Sequence, residues 1–169
     1  ALLLIGCSKE APLPMLGAYE LEDGRIVSIR RSVDDALRYR IYQSGESGRL
    51  YPASGGEWVS GEGFSSRDPV TLRVRFQTDQ DGIARRLDWM PDGGEARSAI
   101  RIGEERTVRF VSDGAILSGR LHLPEGPGPH PAVVLVHGSG EDPGSDWFFN
   151  GDFMVARGIA VLAYDKRGT

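Results

Sequence analysis

The sequence lacks the marks of three common protein classes. No run of Lys or Arg occurs and the formal net charge is −4, so a nucleic-acid surface is not indicated, because phosphates are bound by clustered cations. The single cysteine, Cys7, excludes an intrachain disulfide and a cysteine-based metal site. The apolar run before Cys7 is shorter than the about 20 residues that span a bilayer. Neither a metal nor a nucleotide cofactor is implied, since no His/Glu pair has ligand spacing and no phosphate-cradling glycine loop opens a helix.

The composition is that of a globular, strand-rich protein. Hydrophobic residues make up 40% and charged residues 26%, which is ordinary for a folded domain. The 23 glycines fall between short apolar runs rather than in tracts. This arrangement is typical of short strands joined by tight turns.

Residues 1–16 are interpreted as the remnant of a signal peptide followed by a polar tether. Leu4-Ile5-Gly6-Cys7 resembles the bacterial lipobox, in which cleavage precedes a lipid-modified cysteine. The resemblance implies a lipid anchor on Cys7 and a place in the bacterial cell envelope, on the periplasmic face. Ser8 after the cysteine, rather than aspartate, favours the outer membrane. The alternative is a buried free thiol on an N-terminal strand.

Residues 17–103 are expected to form a small antiparallel β-domain. Several runs alternate apolar and polar residues at a period of two, as half-buried strands do, and Asp-Gly pairs between them mark hairpin turns. No helix of useful length is predicted here. Tyr39, Phe76 and Trp89 are expected to point inward and fill the core rather than bind a ligand.

Residues 104–169 differ from the preceding region because a helical stretch is predicted among their strands. Two strand-like runs joined at Asp113-Gly114 precede a proline-rich connection, and 132–136 then form a continuous apolar run, typical of a strand buried on both faces. A helical stretch follows that Gly158 is placed to end, because glycine readily adopts the left-handed conformation after a last turn. Residues 159–165 are predicted to be the next buried strand. The expected unit is strand, crossover helix, strand.

This second region resembles the opening of an α/β-hydrolase of the serine esterase or peptidase type. His137-Gly138-Ser139-Gly140 is similar to the family's His-Gly oxyanion loop, and Asp165-Lys166-Arg167-Gly168 to its strand-end Asp-x-Arg-Gly segment. The pattern from Asp113 to Pro124 matches the family's first hairpin. Together these elements cover about 65 residues.

The resemblance implies a role for each residue of the oxyanion loop. The backbone N–H of Ser139, with that of Gly140 as second candidate, would stabilise the oxyanion that forms when an ester carbonyl is attacked. His137 and Gly138 would order the loop. Asp165 and Arg167 are interpreted as strand-end residues that fix the next loop by hydrogen bonds and a charge pair, not as members of a catalytic triad.

The resemblance implies the catalytic order nucleophile, acid, histidine, and all three are expected beyond Thr169, since no Gly-x-Ser-x-Gly occurs in the sequence. The expected fold class is α+β: a small antiparallel β-domain followed by the first strands and helix of an incomplete α/β-hydrolase sheet. The expected function is cleavage of carboxylic esters through an acyl-enzyme, with this chain inactive by itself and a small ester or peptide as the substrate. The alternatives are a peptidase of the same fold and a non-catalytic lipoprotein that binds a ligand or partner.

Overall fold

Most of the chain belongs to one large antiparallel sheet. The computed structural model describes residues 14–32, 34–136 and 148–167. Its first nine strands are β1 (Gly17–Leu21), β2 (Ile26–Arg31), β3 (Leu37–Ile41), β4 (Ser47–Arg49), β5 (Tyr51–Pro52), β6 (Glu57–Gly61), β7 (Val70–Thr78), β8 (Ala84–Pro91) and β9 (Arg97–Ile102). They form a sheet in the order β4-β3-β2-β1-β9-β8-β7-β6-β5, with every neighbouring pair antiparallel. A short 3-10 turn at Ser54–Gly56 joins β5 to β6.

The nine-stranded sheet curves until its ends nearly meet. Gly48 of β4 lies so near β6 that a Cβ atom built on it would be 2.8 Å from Ser60 Oγ. The same atom would lie 2.7 Å from the Tyr39 ring. Because β4 and β6 come this close together, only glycine, which has no side chain, fits at position 48.

The concave side of the sheet holds the hydrophobic core. Tyr39 and Trp89 are buried and meet edge to face with their ring centroids 5.1 Å apart, while Phe76 is half-buried against the same cluster. The prediction that these aromatic residues fill the core is therefore confirmed. The remaining buried members come from apolar positions of the strands or from residues next to a strand end: Leu16, Tyr19, Leu21, Val27, Ile29, Leu37, Ile41, Leu50, Leu72, Val74, Ala84, Leu87 and Ala99.

A second sheet of four strands follows Gly103. Its elements are β10 (Glu104–Ser112), β11 (Ala115–Leu123), β12 (Ala132–Leu135), α1 (Phe148–Val155) and β13 (Ala160–Tyr164). The order is β10-β11-β13-β12, in which only β12 and β13 run parallel. Gly103 connects the two sheets with φ of +70°, and a Cβ there would lie 2.5 Å from the Leu123 carbonyl oxygen.

The predicted α+β fold class is wrong. Among the described residues, strands account for 54% and helical turns for 7%, and the antiparallel sheet is large and nearly closed rather than a small domain leading into hydrolase elements. Sequence alternation identifies half-buried strands but does not fix how many of them join one sheet, and that number determines the class.

The prediction for residues 132–136 is also corrected. β12 is an edge strand of the second sheet, and Val134 and Val136 are 52% and 68% exposed rather than buried on both faces. β13, in contrast, lies inside the sheet, and Val161 and Ala163 are buried as expected.

The helix ends where the sequence predicts. Gly158 has φ of +79°. Its N–H donates to the Val155 carbonyl at 3.0 Å, and the Ile159 N–H donates to the Met154 carbonyl at 3.1 Å. These two bonds form the glycine-terminated motif that satisfies the last free carbonyls of a helix. α1 packs on β13 and also on β2 of the nine-stranded sheet.

Candidate functional site: a buried charge cluster beneath helix α1

The residues predicted for the oxyanion loop lie outside the described residues. His137, Gly138, Ser139 and Gly140 follow β12 directly in the sequence, and α1 begins eight residues after Gly140. Cys7 also lies outside the described residues. The roles given to these five residues stay predictions.

Arg167, just after β13, holds the turn between β10 and β11. Its guanidinium Nη2 donates to the Ser112 carbonyl at 2.7 Å and to the Asp113 carbonyl at 3.1 Å. It also lies 3.3 Å from the Asp113 carboxylate. The Asp165 N–H donates to the Ser118 carbonyl at 2.8 Å. Arg167 thus makes hydrogen bonds and a charge pair, but to the earlier turn at Ser112 and Asp113 rather than to the loop that follows β13.

The carboxylate of Asp152, on α1, lies in the interior of the protein. It is fully buried and accepts hydrogen bonds from Arg30 and Ser28 of β2. Arg30 Nε lies 2.9 Å from Oδ2, while Arg30 Nη2 binds Oδ1 and the Ser28 hydroxyl binds Oδ2. His122 of β11 lies on the other side, with Nδ1 3.2 Å from Oδ1. Asp152 thus joins three elements.

A second carboxylate completes the cluster. Glu105 of β10 accepts from Arg30 Nη1 at 2.6 Å, and Arg120 Nη1 of β11 lies 3.4 Å from its other oxygen. The Arg30 guanidinium is 3% exposed and uses its three nitrogens on two carboxylates. We name Ser28, Arg30, Glu105, Arg120, His122 and Asp152 the junction cluster, because it joins the two sheets and α1.

Two residues of the cluster come from the polar face of an otherwise ordinary strand. Val27 and Ile29 of β2 point into the hydrophobic core, so Ser28 and Arg30 point to the opposite face. That face would be exposed to water on an isolated sheet, but α1 covers it and buries both residues. The alternation of apolar and polar residues in β2 predicts that Ser28 and Arg30 point away from the core. It does not show that α1 covers that face.

The charges of the cluster stabilise one another. Burial alone would raise the pKa of the Asp152 carboxyl, but Arg30 and, to a smaller extent, His122 lower that pKa to about 2. Burial would likewise raise the pKa of Glu105, and the adjacent Arg30 and Arg120 guanidinium groups lower it instead. Burial lowers the pKa of Arg30, and the two carboxylates more than offset this effect. Asp152, Glu105 and Arg30 are therefore all ionised at neutral pH.

The stability of the protein should fall in acid because of Asp152. Its pKa is lowered in the folded state, so its contribution is present above about pH 4 and is lost as the pH falls towards about 2. We expect this carboxyl to account for about 2 kcal/mol of the free energy of unfolding over that interval. The measurement is denaturant unfolding at several pH values, compared with the double variant Arg30→Met/Asp152→Leu. Equal pH slopes for the two proteins would contradict the assignment.

The cluster cannot itself be a hydrolytic site. Ser28, His122 and Asp152 have the residue types of a catalytic triad, but the Ser28 hydroxyl donates to Asp152 and not to the histidine. The exposed fractions of these three residues are 0%, 2% and 0%, so no substrate reaches the hydroxyl. Its contacts instead hold β2, β10, β11 and α1 against one another.

Two further findings concern the described ranges, 14–32, 34–136 and 148–167. No group of three or more His, Cys, Asp or Glu side chains there is arranged to hold a metal ion. No helix there has the length and apolar character that a membrane crossing requires.

Comparison with known proteins finds local similarity to two hydrolases. The chain is 45% identical over 58 residues to Esterase EstD of Thermotoga maritima, a match covering 30% of this chain and 14% of that protein. It is 36% identical over 59 residues to the 2,6-dihydropseudooxynicotine hydrolase of Paenarthrobacter nicotinovorans, covering 35% of this chain and 16% of that protein. The chain thus matches less than a fifth of either relative's length. No family model matches it. The similarity supports a hydrolase family.

Proposed function

We propose that this chain is part of a serine hydrolase that cleaves carboxylic esters through an acyl-enzyme. The observation that carries the proposal is the local identity of 45% with an esterase. It is supported by the His-Gly-Ser-Gly segment that follows β12 in the sequence. The activity belongs to the whole protein, of which these residues supply one part.

The chemical role of this part is to bind the oxyanion. Attack on an ester carbonyl moves negative charge onto its oxygen, and N–H groups already in place stabilise that charge without reorganising. The proposal gives this role to the backbone N–H of Ser139 and next to that of Gly140. His137 and Gly138 order the segment. Glycines beside Ser139 leave room for a substrate carbonyl to approach the main chain.

The Ser139 hydroxyl is not proposed as the nucleophile. No Gly-x-Ser-x-Gly surrounds it or any other serine of the sequence, and Ser28 is fully buried. In the proposal the nucleophile, the acid and the histidine come from further residues of the whole protein.

The test is labelling of the natural full-length protein with a fluorophosphonate, which reacts with activated serines. We expect stoichiometric labelling and turnover of short-chain nitrophenyl esters, with the 169-residue chain as a control that does neither. Turnover of peptide anilides but not of esters would favour the peptidase. A full-length protein that is neither labelled nor active on esters would overturn the proposal and favour a non-catalytic binding protein.

A further inference from the structure

We propose that the outer face of the nine-stranded sheet carries a binding groove for an ω-amino carboxylate. This is a molecule with an ammonium group and a carboxylate at the two ends of a short methylene chain. The groove has a volume of about 490 Å³ and lies over β1, β8 and β9, next to the connection that follows β11. The inference goes beyond the proposed ester cleavage and uses none of the residues given to that reaction.

The floor of the groove is apolar. Ile100 and Ile102 of β9 line it, and Ile100 is 53% exposed. Ala99 lies in the hydrophobic core, so the next residue, Ile100, points to the opposite, outer face of the sheet. Small-molecule sites combine an apolar surface with a few polar groups that fix orientation. The two isoleucines supply the surface on which a methylene chain can lie.

Opposite charges flank this floor. Ile100 is paired with Glu20 of β1 on one side and with Arg86 of β8 on the other. Residues paired across a sheet point to the same face, and two strand spacings of about 4.8 Å place the two backbones about 10 Å apart. Within the parts of the chain that the structure describes, neither Glu20 nor Arg86 makes a hydrogen bond or an ion pair. Both side chains are therefore free to bind a ligand.

Arg86 faces outward because of a β-bulge. In the ladder between β7 and β8, Gln77 pairs with Arg86 whereas Thr78 pairs with Ala84, so Arg85 is an extra residue. Ala84 lies in the core, and under regular alternation position 86 would point to the core as well. The bulge thus turns a guanidinium towards the groove.

The charge balance of the groove favours a ligand with a cationic end. Glu22, which follows β1, and Glu125, which follows β11, add two carboxylates to that of Glu20. Three carboxylates thus line the groove with one guanidinium, that of Arg86. An ammonium group is attracted by the carboxylates, while Arg86 offers a fork of N–H donors to a carboxylate. Free ω-amino acids have this chemistry, and so does a lysine residue at the C-terminus of a peptide.

The experiment is a saturation-transfer NMR titration of the full-length protein with 6-aminohexanoate. We expect saturable binding with a Kd below about 1 mM, with saturation reaching the methylene protons. Hexylamine, which lacks the carboxylate, should bind about 3-fold to 10-fold more weakly. Hexanoate lacks the ammonium group and meets three carboxylates, so we expect it to bind more than about 10-fold more weakly.

Three exposed positions supply the variants. Arg86→Gln should weaken binding of 6-aminohexanoate to the level of hexylamine and leave the Kd of hexylamine unchanged. Glu20→Gln should weaken binding of both amines. Arg85→Gln is the matched control, because Arg85 is the next residue, is 53% exposed and pairs with Asp79 rather than lining the groove. We expect it to change neither Kd, and thermal melting checks that all three variants fold.

Several results would overturn the inference. These are an absence of saturable binding, equal binding of hexylamine and 6-aminohexanoate, or an unchanged Kd of 6-aminohexanoate in Arg86→Gln. Binding that is lost once the protein has been labelled with a fluorophosphonate would place the ligand at the hydrolase site and would also overturn it. Unchanged binding after labelling supports the groove. Tighter binding of Nα-acetyl-lysine than of 6-aminohexanoate would identify a C-terminal lysine residue as the source of the ligand, and weaker binding a free ω-amino acid. Failure of labelling itself concerns the proposed ester cleavage alone.

Discussion

Arg30→Met is expected to lower the free energy of unfolding by about 3–5 kcal/mol, because it leaves two carboxylates buried without their cation. Asp152 is fully buried, and the Ser28 hydroxyl and the His122 ring would remain beside it. Glu105 would keep Arg120, which is 36% exposed. The measurement is chemical denaturation at neutral pH, where the carboxylates of the wild-type protein are ionised.

The double variant Arg30→Met/Asp152→Leu removes both members of the buried ion pair. Its free energy of unfolding therefore shows how much the intact pair contributes, whereas Arg30→Met alone shows the loss when one member is left unpaired. Replacing both members of a buried ion pair by apolar residues is often nearly neutral, so we expect the double variant to regain most of the loss. Arg85→Ala is the control, since Arg85 pairs with Asp79 on the surface and is 53% exposed. We expect that change to stay within about 0.5 kcal/mol of wild type. A double variant no more stable than Arg30→Met would show that the two side chains do not depend on each other.

Ser139→Pro is expected to lower kcat by about 100-fold to 1,000-fold in the full-length protein, because proline has no N–H to donate to the oxyanion. Ser139→Ala keeps the N–H and should have a mild effect. The two variants change the same residue, so the comparison isolates the backbone donor from the hydroxyl. The measurement is ester turnover per labelled site, with thermal melting of both variants as the check on folding. Equal losses would mean that the side chain, and not the backbone, contributes.

The strand positions were predictable because alternation is a local property. The run that begins at Leu37 became β3, the run that begins at Val70 became β7, and the inward aromatic residues Tyr39 and Trp89 are buried as expected. The end of α1 was predictable for a similar reason, since a glycine that follows an apolar helical stretch can adopt a positive φ at little cost. These features depend on neighbouring residues alone.

The sequence by itself therefore determined where the chain is extended, which side chains face the core and where the helix stops. Only the tertiary structure decided that nine strands share one sheet and that α1 covers the polar face of β2. The same structure brought Arg30, Glu105 and Asp152 together from positions up to 122 residues apart in the chain. Alternation distinguishes the two faces of a strand, but whether a polar face meets water or another element depends on contacts between distant segments, which no local pattern encodes.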